Sequence, residues 1–452
     1  MASPLLPSTT HALTHRLATS QVDGRLPSIT GCIAGDGHAL WTHAIESSTD
    51  TQYRIGSLTK TFVAVLVMRL RDDGLLKLSD PLEKHLSGTS VGAATILQLL
   101  THSSGLASET PGPWWERTPG SLRPLLEDIL GHSPMKHPHG RRFHYSNPGY
   151  AILGLLVEKL RNKPWGEVLQ DEVLNPLEMT RTSLLPAAPY ATGWAVHPWA
   201  DVLLPEAVYD VGTMAPAGQL WSTVEDLGRF ASLLINGNND VLSAETVAEM
   251  RTPHAALDDG ARSVSYGLGM QTRRVGERVL AGHTGSMPGF LCALWVCPEQ
   301  HLSAATLANS TSGVAIGSLA ADLIEIVVNR EPRIPLAWKP LDDFDASLLE
   351  ITGTWYWGPI PYALKLQRRS QLVLSSLSGS SSRDARFQQQ SDGTWCGRNG
   401  YFEGETLQLV RHEETGAIVH LNIASFIFTR EPYEREAGIP GEVDAAGWRG
   451  IS

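Results

Sequence analysis

Apolar positions follow two periods along the chain, and each predicts a different kind of element. Alternating or wholly apolar short runs predict a hairpin over residues 28–44 and strands between 264 and 308. Helical spacing dominates the sequence between them. Strands at both ends of a segment favour one sheet assembled from distant pieces of chain. The pattern therefore predicts an α/β unit, an antiparallel sheet flanked by helices.

The individual elements follow from the same periods and from capping and turn residues. The hairpin turns at Asp36 and Gly37, and the helices within 93–174 predict a helical subdomain over about 80–215. The other expected elements are helices at about 9–18, 224–234, 243–251 and 314–328, and strands around 264–270, 278–281, 290–296 and 302–308.

Composition changes after residue 335, where the predicted first domain (1–335) ends. Residues 336–346 indicate a linker, and residues 347–435 carry short period-2 runs separated by turn signals. About seven or eight short strands at this spacing predict a sandwich or a small antiparallel barrel. The tail, 436–452, has few large apolar residues.

Charge and composition exclude several partners. The 452-residue chain has a formal net charge of −11 and no basic run, which argues against nucleic acid and anionic membrane surfaces as partners. The N-terminus lacks the apolar core of a signal peptide, and no apolar run reaches transmembrane length. We therefore expect a cytoplasmic protein.

Metal and cofactor chemistry has little support in the sequence. The four cysteines lack metal-ligand spacing, and buried thiols are the simpler interpretation. Four histidines, His132, His137, His139 and His144, invite a metal hypothesis, but no carboxylate or cysteine accompanies them at ligand spacing. We predict no metal and no cofactor.

The strongest candidate for chemistry is the run from Gly56 to Lys60, which opens an apolar helix. Ser57 and Lys60 lie one turn apart on the same face, so the amine can take the hydroxyl proton. Ser-x-x-Lys alone is a weak pattern, and a second copy, Ser133 to Lys136, also occurs. Pro and Gly around that copy prevent a helix, so only the first has the required context.

Two further motifs strengthen this hypothesis. Tyr145-Ser146-Asn147 precedes a helix, and Gly282-His283-Thr284-Gly285 precedes a strand-like run. In this order the three motifs resemble the penicillin-recognising serine enzymes, which include class C β-lactamases, D-Ala-D-Ala peptidases, esterases and D-aminopeptidases. The resemblance covers about residues 20–330. His283 stands where β-lactamases usually have lysine, which favours the esterase, D-aminopeptidase and transacylase branches.

The resemblance implies a role for each motif residue. Ser57 is the nucleophile, Asn147 holds Lys60 and contacts substrate, and His283 orients the leaving group or second nucleophile. Tyr145, shifted toward phenolate by the ammonium, is the expected proton shuttle, while the choice of general base between Lys60 and Tyr145 stays open. The backbone N–H groups of Ser57 and Ser286 would form an oxyanion hole.

Six other residues are weaker candidates for substrate contacts. Trp114 and Trp115 would line an acyl pocket or anchor a loop, and Arg430 would reach substrate or close the barrel. The remaining three are Thr284, Gly285 and Gly218.

The fate of the Ser57 ester defines three hypotheses. The run from Gly353 to Tyr356 resembles the entry of a lipocalin barrel. A Ser-x-x-Lys domain fused to a lipocalin-like domain in a cytoplasmic chain resembles the penicillin-binding-protein-type thioesterases. These release and cyclise nonribosomal peptides from carrier proteins, which implies a peptidyl thioester substrate with a D-configured C-terminal residue. The alternatives are a hydrolase of small D-amino acid amides, peptides or esters, and an inactive lipocalin-like binding protein.

Overall fold

The computed structural model describes residues 5–433, apart from 36, 124, 257–263, 312, 332–333, 335–336, 342–343, 368–370 and 380–382. The chain divides into two compact units, Met1–Arg333 and Ile334–Ser452, and each is described by itself. The turn residue Asp36 and the predicted tail, 436–452, lie outside the described residues.

The α-helices in the described residues all belong to the first unit. They are α1 (Pro7–Asp23), α2 (Thr59–Asp72), α3 (Ile96–Leu100), α4 (Leu126–Leu130), α5 (Asn147–Arg161), α6 (Trp165–Leu169), α7 (Ala215–Gly218), α8 (Val224–Asn236), α9 (Ala244–Met250) and α10 (Ile316–Arg330). None of them combines the length and the apolarity needed to cross a membrane.

An eight-stranded sheet forms the centre of the first unit, in the order β2-β1-β12-β11-β10-β9-β8-β7. All its neighbouring strands are antiparallel. Two short strand pairs, β3 with β6 and β4 with β5, lie outside this sheet. The strands of the first unit are β1 (Ile29–Gly35), β2 (His38–Ile45), β3 (Tyr53–Arg54), β4 (Trp194–Val196), β5 (Leu203–Pro205), β6 (Trp221–Ser222), β7 (Ala255–Ala256), β8 (Val264–Tyr266), β9 (Gln271–Val275), β10 (Arg278–Met287), β11 (Phe290–Cys297) and β12 (Leu302–Ala308).

The sheet is assembled from distant pieces of chain, as the pattern predicts. β1 pairs with β12 in register from Ile29 opposite Ala308 to Gly35 opposite Leu302. Helices α1 and α10 pack together on one face, around buried Leu17 and Leu319. On the other face, α8 packs against β1, β11 and β12. The predicted antiparallel α/β fold is confirmed.

The segment between α3 and α5 is less helical than the pattern predicts. Over residues 101–146 the described helical structure is α4 and two single 3-10 turns, Trp115–Arg117 and Gly120–Leu122. Proline at Pro111, Pro119 and Pro134 removes N–H donors that a helix needs, so irregular chain replaces the expected helix. This irregular chain later supplies side chains to the site.

The strand boundaries differ from the prediction at the third motif. The strand expected at 278–281 continues to Met287, so Gly282 to Gly285 lie inside β10. They still precede the strand expected at 290–296, which is β11. The strand expected at 264–270 covers only Val264–Tyr266, and β9 was not predicted. The helix expected at about 9–18 is the longer α1.

The second unit contains a closed barrel of eight strands, which confirms the predicted all-β fold. The strands are β13 (Gly353–Trp357), β14 (Ile360–Gln367), β15 (Gln371–Ser376), β16 (Ala385–Gln389), β17 (Trp395–Gly397), β18 (Thr406–Arg411), β19 (Ile418–Ile423) and β20 (Phe426–Thr429). Large buried side chains fill its interior, among them Trp355, Phe387 and Trp395.

Candidate active site

Ser57 lies in a tight turn between β3 and α2. The turn is a 3-10 helix, Gly56–Leu58, so Ser57 precedes α2 and does not lie in its first turn as expected. Gly56 has φ of +53°, and a Cβ there would lie 2.6 Å from the backbone nitrogen of Ser286. Only glycine permits this backbone and this approach. The glycine therefore brings the Ser57 turn against β10.

A second glycine allows the same close approach from the side of β10. A Cβ at Gly285 would lie 1.9 Å from the carbonyl oxygen of Ile55. The backbone of Ser286 is thereby held next to the turn that carries Ser57. The Ser57 and Ser286 N–H groups remain the predicted oxyanion donors.

Lys60 occupies the place that the i, i+3 spacing predicts. It is fully buried, and its Nζ lies 3.0 Å from Ser57 Oγ and donates to the carbonyl of Ala217 at 2.7 Å. Burial lowers the pKa of Lys60 to about 7, although the charges of Glu109 and Glu116 oppose this shift. Near neutral pH a large fraction of the amine is therefore unprotonated and can accept the Ser57 proton.

Tyr145 lies over the same amine. Its ring centroid is 4.9 Å from Lys60 Nζ, and it shares a hydrogen bond with Ser57. Burial raises the pKa of Tyr145 well above its ordinary value, and Glu109 and Glu116 raise it further. The expected shift toward phenolate is therefore wrong, because burial outweighs the hydrogen bond with Ser57 that lowers the pKa of Tyr145. Tyr145 is therefore a neutral phenol, while the choice of base between Lys60 and Tyr145 stays a prediction.

Asn147 begins α5, where Ser146 is the N-cap and accepts a hydrogen bond from Gly149 N at 3.1 Å. Its Nδ2 donates to Glu109 Oε1 at 2.7 Å, while its buried Oδ1 has no partner among the described residues. The carbonyl of Ala217 holds Lys60 in the way expected of Asn147. The predicted donation from Asn147 to a substrate carbonyl stays a prediction, because Nδ2 already donates to Glu109 and Oδ1 can only accept.

His283 is buried and has both ring nitrogens engaged. Nδ1 donates to the carbonyl of Thr284, so Nε2 accepts the hydroxyl of Tyr266 at 3.0 Å. Burial and the charge of Lys60 lower its pKa to about 3. The ring is therefore neutral and is held by Tyr266. The sequence offered no signal for Tyr266, which lies in β8.

Ser57, Tyr145 and His283 line a cavity of about 570 Å³. Trp295 closes one side, where its Nε1 donates to the carbonyl of Gly317 at 2.8 Å and ties β11 to the start of α10. Lining residues that the sequence reasoning missed are Gln271, Arg273, Leu291 and Ser318. Lining residues that it predicted are Ser57, Tyr145, His283, Thr284, Gly285 and Ser286.

Two carboxylates, also missed, lie close enough to affect the charge of Lys60. Glu109 accepts from Asn147 Nδ2 and from Trp115 Nε1, both at 2.7 Å. Glu116 accepts from Trp114 Nε1 at 2.9 Å. Burial raises the pKa of Glu116, and Glu109 raises it further. Within the described residues, neither carboxylate has a basic side chain at ion-pair distance.

The two tryptophans therefore act as anchors for these carboxylates. Trp115 is buried, whereas Trp114 is 55% exposed.

Gly218 ends α7 directly after Ala217, whose carbonyl binds Lys60. Glu109 and Glu116 could have been noticed as acidic residues flanking a Trp-Trp pair between two motifs.

Arg430 follows the last strand of the barrel, in the second unit. Its guanidinium donates to the carbonyls of Glu350, Thr352 (3.0 Å) and Thr354 (3.2 Å). It also lies 3.9 Å above the centroid of the Trp355 ring. These contacts are those of a barrel-closing arginine, and the substrate contact stays a prediction.

Comparison with protein families agrees with this architecture. The profile of the beta-lactamase family matches residues 12–329, well over half of the chain. The chain therefore belongs to the beta-lactamase family of serine hydrolases and acyltransferases, which confirms the predicted membership. A second profile, described as a domain of unknown function (DUF7586), matches residues 344–430.

Curated relatives are distant. Beta-lactamase-like protein 2 of Dictyostelium discoideum is 28% identical over 224 residues, 47% of this chain and 41% of that protein. Protein flp of Staphylococcus aureus is 25% identical over 291 residues, 62% of this chain and 57% of that protein. The chain spans about half the length of the curated relatives it matches.

Solved structures share the fold at low identity. A D-stereospecific amidohydrolase from Streptomyces sp. is 23% identical with a TM-score of 0.60, over 71% of this chain and 98% of that chain. SurE is 24% identical with a TM-score of 0.58, over 94% of this chain and 99% of that chain. An octameric penicillin-binding protein homologue from Pyrococcus abyssi is 20% identical with a TM-score of 0.61, over 92% and 99%. At these identities the similarity establishes the fold alone.

Proposed function

We propose that this chain is a serine acyltransferase that receives an acyl group on Ser57 and passes it to an amine. In the first step Ser57 Oγ bonds to the acyl carbon of a thioester as the carbon–sulfur bond breaks. The Ser57 proton passes to Lys60 and then to the departing thiolate. The 3.0 Å contact between Lys60 and Ser57 supports this step, as does a Lys60 pKa of about 7.

Tyr145 and the backbone donors have supporting roles in the same step. Tyr145 stays protonated and donates to the reacting oxygen, because burial disfavours its phenolate. The N–H groups of Ser57 and Ser286 stabilise the oxyanion of the tetrahedral intermediate.

The observation that carries the choice of an amine is the pair of anchored carboxylates. Indole N–H groups hold Glu109 and Glu116 beside Lys60, and neither has a basic partner within the described residues. Glu116 is half-buried and Glu109 is exposed, and a half-buried carboxylate without such a partner attracts a cation. An ammonium group of the substrate would satisfy them, together with the unpartnered Oδ1 of Asn147.

In the second step the amine replaces Ser57. The bound ammonium first loses one proton to solvent. The neutral amine then attacks the ester carbon, an amide bond forms, and the bond to Ser57 Oγ breaks. The amine proton returns to Ser57 through Lys60. If the amine is the N-terminus of the same peptide, the product is a head-to-tail ring, and the thioester donor would be a peptidyl carrier protein. SurE, a neighbour along 94% of this chain, has also been determined with D-Leu, which agrees with the expected D-configuration.

A second candidate function uses the same acyl-enzyme and ends with water. The two carboxylates would then bind the free amino group of a D-amino acid amide, peptide or ester. The neighbours named D-stereospecific amidohydrolase and D-amino acid amidase favour this reading. These two neighbours match 71% and 72% of this chain, whereas SurE matches 94%, so the wider match favours the first candidate function. The third hypothesis, an inactive binding protein, has less support because side chains fill the barrel interior.

Intact-mass analysis tests these alternatives together. The purified chain is mixed with a linear peptidyl thioester that has a free N-terminus and a D-configured C-terminal residue. We expect a covalent adduct on Ser57 and mainly cyclic product. Free acid as the sole product from several D-terminated peptides would contradict the cyclase and favour the hydrolase.

Two controls make the result specific. The N-acetylated peptide lacks the amine, so it should acylate the enzyme slowly and give no ring. Ser57→Ala should give no adduct. If wild type forms no adduct with the thioester or with a fluorophosphonate, the acyltransferase proposal itself fails.

A further inference from the structure

A buried histidine outside the three motifs lies directly behind the site. His102 follows α3 and is completely buried. Its φ is +54°, a left-handed conformation in which most side chains are strained. Its carbonyl accepts a hydrogen bond from the backbone N–H of His144 at 2.7 Å. Glycine would adopt this backbone conformation without strain, so the presence of histidine indicates that its side chain has a role here.

The ring of His102 contacts the Tyr145-Ser146 segment in two ways. Its Nδ1 accepts a hydrogen bond from the backbone N–H of Ser146 at 3.0 Å. Its centroid lies 4.2 Å from that of the Tyr145 ring, with the planes tilted by 35°. One side chain therefore holds both the ring of Tyr145 and the backbone that follows it.

The hydrogen bond to Ser146 also defines the protonation of the imidazole. Because Nδ1 is the acceptor, the proton of the neutral ring is on Nε2. Nε2 is buried and has no hydrogen-bond partner among the described residues. Three more aromatic rings surround it, those of Phe143, Tyr150 and Tyr266. Burial and the charges of Lys60, His283 and His144 lower the pKa of His102 well below its ordinary value.

We infer that His102 is a positioning residue, which fixes Tyr145 over Lys60 by accepting from Ser146 N–H and stacking on the phenol. This inference rests on the proposed role of Tyr145 in acylation. Of the two contacts, the hydrogen bond is the more demanding, since its loss leaves a buried N–H group unpaired. The same network reaches His283, because Tyr266 packs on His102 and donates to His283 Nε2.

Two substitutions separate the hydrogen bond from the ring. In His102→Asn, the amide oxygen lies near the position of Nδ1, and asparagine tolerates a left-handed backbone. In His102→Phe, the ring remains but the acceptor is lost. Labelling of Ser57 by a fluorophosphonate is followed in time, giving the maximal rate constant and the half-saturating concentration separately.

We expect His102→Asn to label within about 5-fold of wild type, and His102→Phe to lose about 100-fold in maximal rate constant, the scale of a roughly 1 Å misplacement. The half-saturating concentration should stay the same, because His102 does not line the cavity. The matched control is His85→Asn. His85 is a nearly buried histidine that bonds to Asp80 at 2.9 Å, and its loss should leave labelling unchanged.

Thermal unfolding of each variant distinguishes positioning from a general structural role. Equal losses in His102→Asn and His102→Phe, or a wild-type rate constant in His102→Phe, would overturn the inference. If His102→Phe does not fold, His102→Ala also lacks the acceptor and is compared with His102→Asn in the same way. Absence of labelling in wild type would instead contradict the proposed function.

Discussion

Indole N–H groups bind different acceptors in the two units, backbone carbonyls in the barrel and carboxylates around Ser57. In the barrel, the indole of Trp355 donates to the carbonyl of Ile351 at 2.7 Å, and Arg430 is held by backbone carbonyls. Around Ser57, indoles instead hold carboxylates that have no basic partner in the described residues, and Asn147 Oδ1 stays unpaired.

This difference identifies where each unit can do chemistry. Buried polar groups without partners destabilise a fold, so they persist where a substrate completes them. The barrel satisfies Trp355 and Arg430 from its own backbone but leaves His420 Nδ1 and Asn422 Oδ1 without a partner among the described residues. In the first unit, the unpaired Asn147 Oδ1 and the half-buried Glu116 instead lie near the Ser57–Lys60 pair. Substitutions in the first unit should therefore change activity more than stability, and those in the barrel the reverse.

The largest effect is expected for Lys60→Met. Without the amine, Ser57 loses its proton acceptor, and fluorophosphonate labelling should fall by about 10⁴-fold, the upper range for general base catalysis. Stability should rise at pH 7, because a buried lysine is removed. Stopped assays of labelling and thermal unfolding measure the two quantities. A variant that labels normally would exclude Lys60 as the base.

Trp355→Ala tests the other side of the comparison. Loss of this buried ring should lower the free energy of unfolding of the barrel by about 3–5 kcal/mol, as large-to-small core changes do. At a temperature where the barrel remains folded, labelling of Ser57 should be unchanged. Chemical denaturation and labelling on one sample measure both, and a large loss of labelling by folded protein would couple the barrel to the acylation step.

Glu116→Gln removes a negative charge while keeping an acceptor for Trp114. For an aminoacyl ester with a free amine, KM should rise by about 10- to 100-fold, the worth of a charge-assisted hydrogen bond. The N-acetylated ester should show no change. Glu127→Gln, at an exposed residue of α4, is the matched control. Equal KM changes for both esters would show that Glu116 does not bind the ammonium group of the substrate.

The pH dependence should follow Lys60. Labelling of the unliganded protein should rise about tenfold per pH unit below 7 and level off above it, since the neutral amine is the active form. The pKa is lowered on folding from 10.5 to about 7, so the unfolded chain binds more protons between these values. Lys60 therefore makes stability rise with pH across that window, and Lys60→Met should lose this slope. A pH-independent labelling rate would contradict the assignment.

Arg430→Met should have the smallest effect. The loss of its hydrogen bonds to carbonyls should lower barrel stability by about 1 kcal/mol, because the group is partly exposed and water can replace it. KM and kcat should stay unchanged if the arginine only closes the barrel. An increase in KM would support the predicted substrate contact instead.

The sequence predicts the acyl-transfer residues better than their surroundings. Ser57 and Lys60 are connected by helical spacing alone, so their contact follows from local geometry. His283 was expected between two strands, ahead of the one at 290–296, and not inside β10. In the fold, Gly285 instead makes room for Ile55, a contact that no local pattern contains.

The importance of the two carboxylates of the site, Glu109 and Glu116, could not be predicted from the sequence. Glu109 and Glu116 lie in irregular chain, where acidic residues are usually solvated. Their importance comes from the indoles of Trp115 and Trp114 and from Lys60, which is distant in sequence. Contacts of that kind appear only when tertiary structure is known.

The close approach of Gly56 to Ser286 has a consequence for the order in which the protein matures during synthesis. Ser57, Lys60 and Tyr145 leave the ribosome early, but the strand that packs against their turn is translated more than a hundred residues later. A nascent chain truncated before β10 carries the nucleophile without the backbone that faces it. We therefore expect such a truncated chain to react slowly at Ser57 until the sheet closes.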